Sequence, residues 1–67
     1  MPLIGAKDVQ EILEISESRA YLVIKELNGE LQSQGYLTLR GRVEKNYLFE
    51  RFGLNRQEEG GRADDLL

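Results

Sequence analysis

Apolar residues in the first half of the chain recur at helical spacing, in two runs separated by a short break. Over residues 6–13 the apolar side carries Val9, Ile12 and Leu13, which predicts a helix of about two turns. Glu14-Ile15 interrupts the pattern, and Ser16 opens a second helix running to about Gln34. At about 100° per residue, Ala20, Val23, Ile24, Leu27 and Leu31 fall in one stripe roughly 80–100° wide, the expected core face. Ser18, Tyr21, Lys25, Asn28 and Gln32 lie beside it on a polar face. Past Gly35 the period drops to two. Tyr36, Thr38 and Arg40 alternate with Leu37 and Leu39, which predicts a half-buried strand, with Gly41 supplying a turn and Val43 a short partner strand. Residues 44–52 read as a last helix with Leu48 and Phe52 inward, assisted by Tyr47 or Phe49, and Gly53 ends it. Tyr36, Leu37, Leu39, Val43, Leu48 and Phe52 are therefore expected in the core.

Local signals support these boundaries. Gly5 is a tolerable N-cap for the first helix, and Asp8 complements the helix dipole from its first turn. Two turns cannot stand alone, so packing must hold this helix. Ser16 is the stronger cap, followed by Glu17 at a dipole-favoured position, but Arg19 leaves the reciprocal capping box incomplete. Ala20 is small where a tight helix–turn–helix angle needs close approach. The second helix is read through Asn28-Gly29, at a cost of about 1 kcal/mol, because the apolar spacing persists to Leu31.

The architecture expected is thus mainly α with a small β-hairpin: a winged helix-turn-helix over residues 1–53. Residues 54–67 lack an apolar period and read as a disordered acidic tail. Sixty-seven residues make one small domain, too small to enclose a deep substrate cavity, so an enzyme is not expected. The chain has neither cysteine nor histidine, which removes disulfides, thiolate chemistry and the usual zinc ligands, and no cofactor or metal is expected. The sequence has no apolar run of membrane-spanning length and no secretion signal at its start, so a soluble cytoplasmic protein is expected.

A helix presented by a smaller helix, with a basic hairpin beside it, suits nucleic acid. The net charge of −3 opposes that reading. The tail, however, holds Glu58, Glu59, Asp64 and Asp65 against Arg56 and Arg62, and Arg19, Lys25, Arg40, Arg42 and Lys45 gather between the second helix and the hairpin. Bases converging on one side can hold a polyanion although the whole chain is acidic.

Candidate DNA-binding residues follow from the motif. Ser16, Glu17, Ser18 and Arg19 form the helix turn that enters the major groove, where Ser18 and Arg19 would reach base edges or phosphates. The plainer readings are a cap for Ser16, a dipole partner for Glu17 and a solvated charge for Arg19. Tyr21 and Lys25, one turn apart, could hold phosphate oxygens; otherwise they are a ring over the core edge and a surface lysine. Arg40-Gly41-Arg42 could straddle the backbone or enter the minor groove, with Lys45 extending the same basic edge, or could be a solvated turn.

The run from Leu3 to Tyr21 (Leu3-Ile4-Gly5-Ala6-Lys7-Asp8-Val9 through Leu13-Glu14-Ile15-Ser16-Glu17-Ser18-Arg19-Ala20-Tyr21) resembles the start of excisionase-type and MerR-type winged-helix DNA-binding domains. Glu26-Leu27-Asn28, Gly35-Tyr36-Leu37-Thr38 and Gly41-Arg42-Val43 are similar to the small version found in phages and mobile elements of Gram-positive bacteria. The resemblance covers about residues 3–53. It implies binding to double-stranded DNA at an attachment site or promoter. An excisionase-like factor would bind and bend attachment-site DNA and direct an integrase towards excision, with the tail contacting the integrase or a neighbouring copy; the free protein is expected to be a monomer. The alternatives are a transcriptional regulator with the same fold and a protein-interaction adaptor. Two positions depart from the family pattern: Leu22 stands where many relatives carry a phosphate-reaching base, and Glu14 replaces a common turn glycine, implying a non-glycine residue at positive φ.

Overall fold

Residues 2–54 are described by a computed structural model of the chain. They form, in order, β1 (Leu3–Gly5), α1 (Ala6–Leu13), α2 (Glu17–Ser33), β2 (Arg42–Glu44) and α3 (Lys45–Arg51). Except for Leu54, the expected tail lies outside the described residues. The fold class agrees with the sequence reading: mainly helical, with a helix-turn-helix, a two-stranded antiparallel sheet and a short C-terminal helix.

The turn between α1 and α2 is closed by backbone geometry. Glu14 adopts the left-handed conformation at φ 57°, as its place in the pattern implied, and the Ile15 N–H donates to the Gln10 carbonyl at 3.2 Å. This is the six-to-one closure of a helix end that normally prefers glycine. Ser16 then caps α2, its Oγ accepting from the Arg19 N–H at 3.3 Å. Ala20 is fully buried where the two helices meet, and Ile24 and Leu27 continue that face into the core with Val9, Val43 and Leu48. At its far end α2 closes through Gly35, φ 95°, with Tyr36 N–H donating to the Leu31 carbonyl at 3.0 Å and Gly35 N–H to the Gln32 carbonyl at 2.9 Å.

Gly29 sits inside α2, as read, and a methyl group placed on it would meet nothing within 4 Å. Gly29→Ala should therefore stabilise the domain by about 1 kcal/mol, relieving the backbone entropy cost without a clash. Thermal unfolding checks this: a midpoint raised by several degrees is expected, and a lower one would show that the helix needs the glycine for another reason.

The sheet corrects the sequence reading. Residues 36–39 do not form a strand; β2 pairs instead with β1, in the register Leu3↔Glu44, Ile4↔Val43 and Gly5↔Arg42. Leu3-Ile4, left unassigned by the periodicity, takes the place beside Val43. The turn at Gly41, φ 76°, has a single backbone closure, Arg42 N–H to the Leu39 carbonyl at 3.1 Å, and residues 36–41 run as a loop with no strand pairing. Four expected core residues follow that loop or the end of α3 out of the core: Tyr36, Leu37, Leu39 and Phe52 are exposed, Leu37 almost completely at 97%. Val43 and Leu48 are buried as expected.

α3 is fastened at both ends. The Glu44 carboxylate caps it by accepting from the Tyr47 N–H at 2.7 Å. On its outer side Glu30 of α2 accepts from Arg51 through Nε at 2.7 Å and Nη2 at 2.8 Å, and from the Tyr47 hydroxyl at 2.7 Å. The Arg51 and Tyr47 hydrogen bonds hold the Glu30 carboxyl far below its ordinary range, at about 2 instead of 4.5. A depressed carboxylate contributes stability above its unfolded pKa and loses it as pH falls through the folded one. Stability should thus drop between about pH 4.5 and about pH 2, and Glu30→Gln should flatten that part of the profile. Urea unfolding of both proteins across this interval checks it; parallel profiles would count against the fastening.

Candidate nucleic-acid interface

The polar face of α2 is built by spacing alone. Tyr21, Lys25, Asn28 and Gln32 are separated by four, three and four residues, which at about 100° each confines them to an arc of roughly 60°. The N-terminal half of this stripe is exposed, and its C-terminal half holds the loop. Asn28, on this polar face, is only 8% exposed, and its Nδ2 donates to the Leu39 carbonyl at 3.1 Å and the Arg42 carbonyl at 2.8 Å. One turn on, Gln32 Nε2 donates to Thr38 Oγ1 at 2.7 Å.

Between helix and loop lies an open cleft lined by Tyr21, Lys25, Gln32, Thr38, Arg40 and Gly41 among others. Two cations line it and no carboxylate does. In a chain of net charge −3, that is a local reversal of sign. Ser18 and Glu17 extend the stripe towards the start of α2, one bringing a hydroxyl and the other a carboxylate, and both are exposed.

The other candidate residues lie elsewhere. Ser16 is engaged as the α2 cap. Arg19 is turned roughly 120° around α2 from Lys25 and borders a separate depression with Leu22, Glu26 and Phe52. Arg42 crosses Gly5 of β1, where a methyl placed on the glycine would lie 3.6 Å from its Nη1, and it opens onto a groove with Leu3, Leu37, Glu44 and Glu50. Arg40 and Arg42 therefore serve different clefts although one residue separates them. Lys45 Nζ stands 5.6 Å from the centre of the Phe49 ring, on α3. Tyr21, Lys25, Arg40 and Gly41 are the candidate residues brought together. Asn28, Gln32 and Thr38 complete their setting. The sequence already grouped Asn28 and Gln32 with Tyr21 and Lys25, but nothing in it told a loop fastener from a solvated amide.

Among the described residues, no cluster of three or more acidic side chains is arranged to hold a metal ion, and no helix is long and apolar enough to cross a membrane.

No protein-family model matches the chain, and no solved structure matches it. The chain is similar to the ICEBs1 excisionase of Bacillus subtilis (strain 168), with 32% identity over 40 residues. The match covers 60% of this chain and 62% of that protein. It agrees with the excisionase-type resemblance carried by the sequence motifs.

Proposed function

We propose that the chain is a small DNA-binding protein of excisionase type, which grips duplex DNA between the exposed stripe of α2 and the loop bearing Arg40. The observation that carries this reading is the carboxylate-free cleft in which Lys25 and Arg40 converge on an otherwise acidic molecule. The similarity to an excisionase supports it independently. In this reading α2 enters the major groove from its N-terminal half, Ser18 and Tyr21 reach phosphates or base edges, and Lys25 neutralises backbone charge. Arg40 reaches the neighbouring backbone or the minor groove, and contacts from two sides of one duplex favour a bend. The chemistry is noncovalent: binding and bending at an attachment site would present the DNA to an integrase in the geometry for excision. Binding would take place in the cytoplasm, with the tail available to the integrase or a neighbouring copy.

Fluorescence anisotropy on a duplex selected by the chain from a random-sequence pool tests the binding, and mobility of circularly permuted fragments tests the bend. Affinity should fall with salt with a log–log slope of about −2 to −4, the signature of a few neutralised phosphates. An excision assay in the element that carries the gene separates the roles: lost excision on gene deletion supports this reading, and altered transcription alone would assign the chain to regulation. The exposed apolar residues Tyr36, Leu37 and Leu39 support an adaptor as the second reading, which a chain with no salt-dependent DNA affinity would favour.

A further inference from the structure

We infer that Asn28 is a positioning residue that aims the Arg40 loop, so that α2 and the loop act on a ligand as one preassembled unit. The functional half of this inference rests on the proposed DNA reading; the positional half does not. Its basis is the pair of carbonyls that Asn28 holds. They belong to Leu39 and Arg42, the residues on either side of Arg40-Gly41, and they are gripped by one amide group at 3.1 and 2.8 Å.

Without that grip the loop has little to fix it. Residues 36–41 make no strand ladder, Gly41 lies at positive φ, and Leu37 and Leu39 are exposed. Among the described residues, the other hydrogen-bond ties are Tyr36 N–H to the Leu31 carbonyl at the loop's start, the Arg42-to-Leu39 backbone bond across the turn and the exposed Gln32–Thr38 hydrogen bond. A carboxamide suits this position because its NH2 offers two donors to two carbonyls, which a carboxylate at neutral pH cannot do. Removing it would leave the Leu39 carbonyl with only the Arg42 N–H and take from the Arg42 carbonyl the donor that Asn28 supplies. Asn28 also lies on the same stripe as Lys25, less than one turn away, so the charge on the helix and the charge on the loop are referenced to one rigid rod.

The test is a double-mutant cycle in the full chain, read on the selected duplex and on the loop itself. Asn28→Ala and Arg40→Ala should each weaken binding about tenfold, the scale of one lost charge-assisted contact, and the double variant should lose no more than the stronger single one. Backbone 15N relaxation of the free Asn28→Ala protein should show increased motion confined to residues 38–41, with α1 and α2 unchanged. Losses that add fully, or a loop as ordered as in the unsubstituted chain, would overturn the inference. If Asn28→Ala does not fold, Gln32→Ala serves in its place, with a smaller loss that is again not additive with Arg40→Ala. A chain that binds no duplex would remove the proposed function, while the relaxation measurement would still decide whether Asn28 orders the loop.

Discussion

Replacing Lys25 and Arg40 together by alanine is expected to weaken binding to the selected duplex by roughly thirty- to a hundredfold. Each is an exposed cation in the carboxylate-free cleft, and a hydrogen-bonded charged contact contributes about 1–2 kcal/mol to such an interface. Two lost phosphate contacts should also make the salt dependence shallower by about 1.8 in log–log slope. Neither side chain belongs to the core, so the circular dichroism spectrum should not change. Arg42→Ala and Arg19→Ala are the informative controls. The first side chain crosses Gly5 and the second lies on another side of α2, and each should cost less than the double change. Equal affinity of all these proteins would remove the cleft from the interface; a larger loss at Arg42 would move the interface across the loop.

Leu48→Ala should leave much of the domain unfolded at room temperature. Leu48 is completely buried and is the main apolar anchor of α3. Truncating a buried leucine costs about 2–5 kcal/mol, and a core this small supplies roughly 3–5 kcal/mol in total. The matched control is Leu37→Ala, a change of identical chemistry at a side chain that is 97% exposed, which should leave urea unfolding within about 0.5 kcal/mol of the original. Equal destabilisation by the two would place Leu37 in the core after all.

The contrast between Leu48 and Leu37 also marks where sequence reasoning works. Helical periodicity is written in every turn, so Ala20, Ile24 and Leu27 could be assigned to the core from spacing alone. The alternation of residues 36–40 is weaker evidence, because an extended loop repeats every two residues as a strand does. Whether it becomes a strand depends on which distant segment reaches β2 first in space. Here Leu3-Ile4 occupies that edge, a pairing that no local signal records. The candidate site divides in the same way. That Tyr21 and Lys25 share a face was legible because a helix face follows from counting. The separation of Arg40 from Arg42 was not: on a continuous strand they would share a side, but the left-handed turn at Gly41 sends them to different clefts. Glu14 is an intermediate case, since its positive φ follows from the motif although its side chain gives no reason for it.

The pairing of the first strand with residues 42–44 also sets a timetable for biosynthesis. As the chain leaves the ribosome, α1 and α2 can meet early, but Leu3–Gly5 has no partner until Arg42–Glu44 has emerged. The arginine loop, tied to the segment that completes this ladder, is the last part of the candidate site to mature. A translation product stopped before Arg42 would still carry Lys25 on its helix, yet its ladder and the Asn28 bond to the Arg42 carbonyl would both be missing.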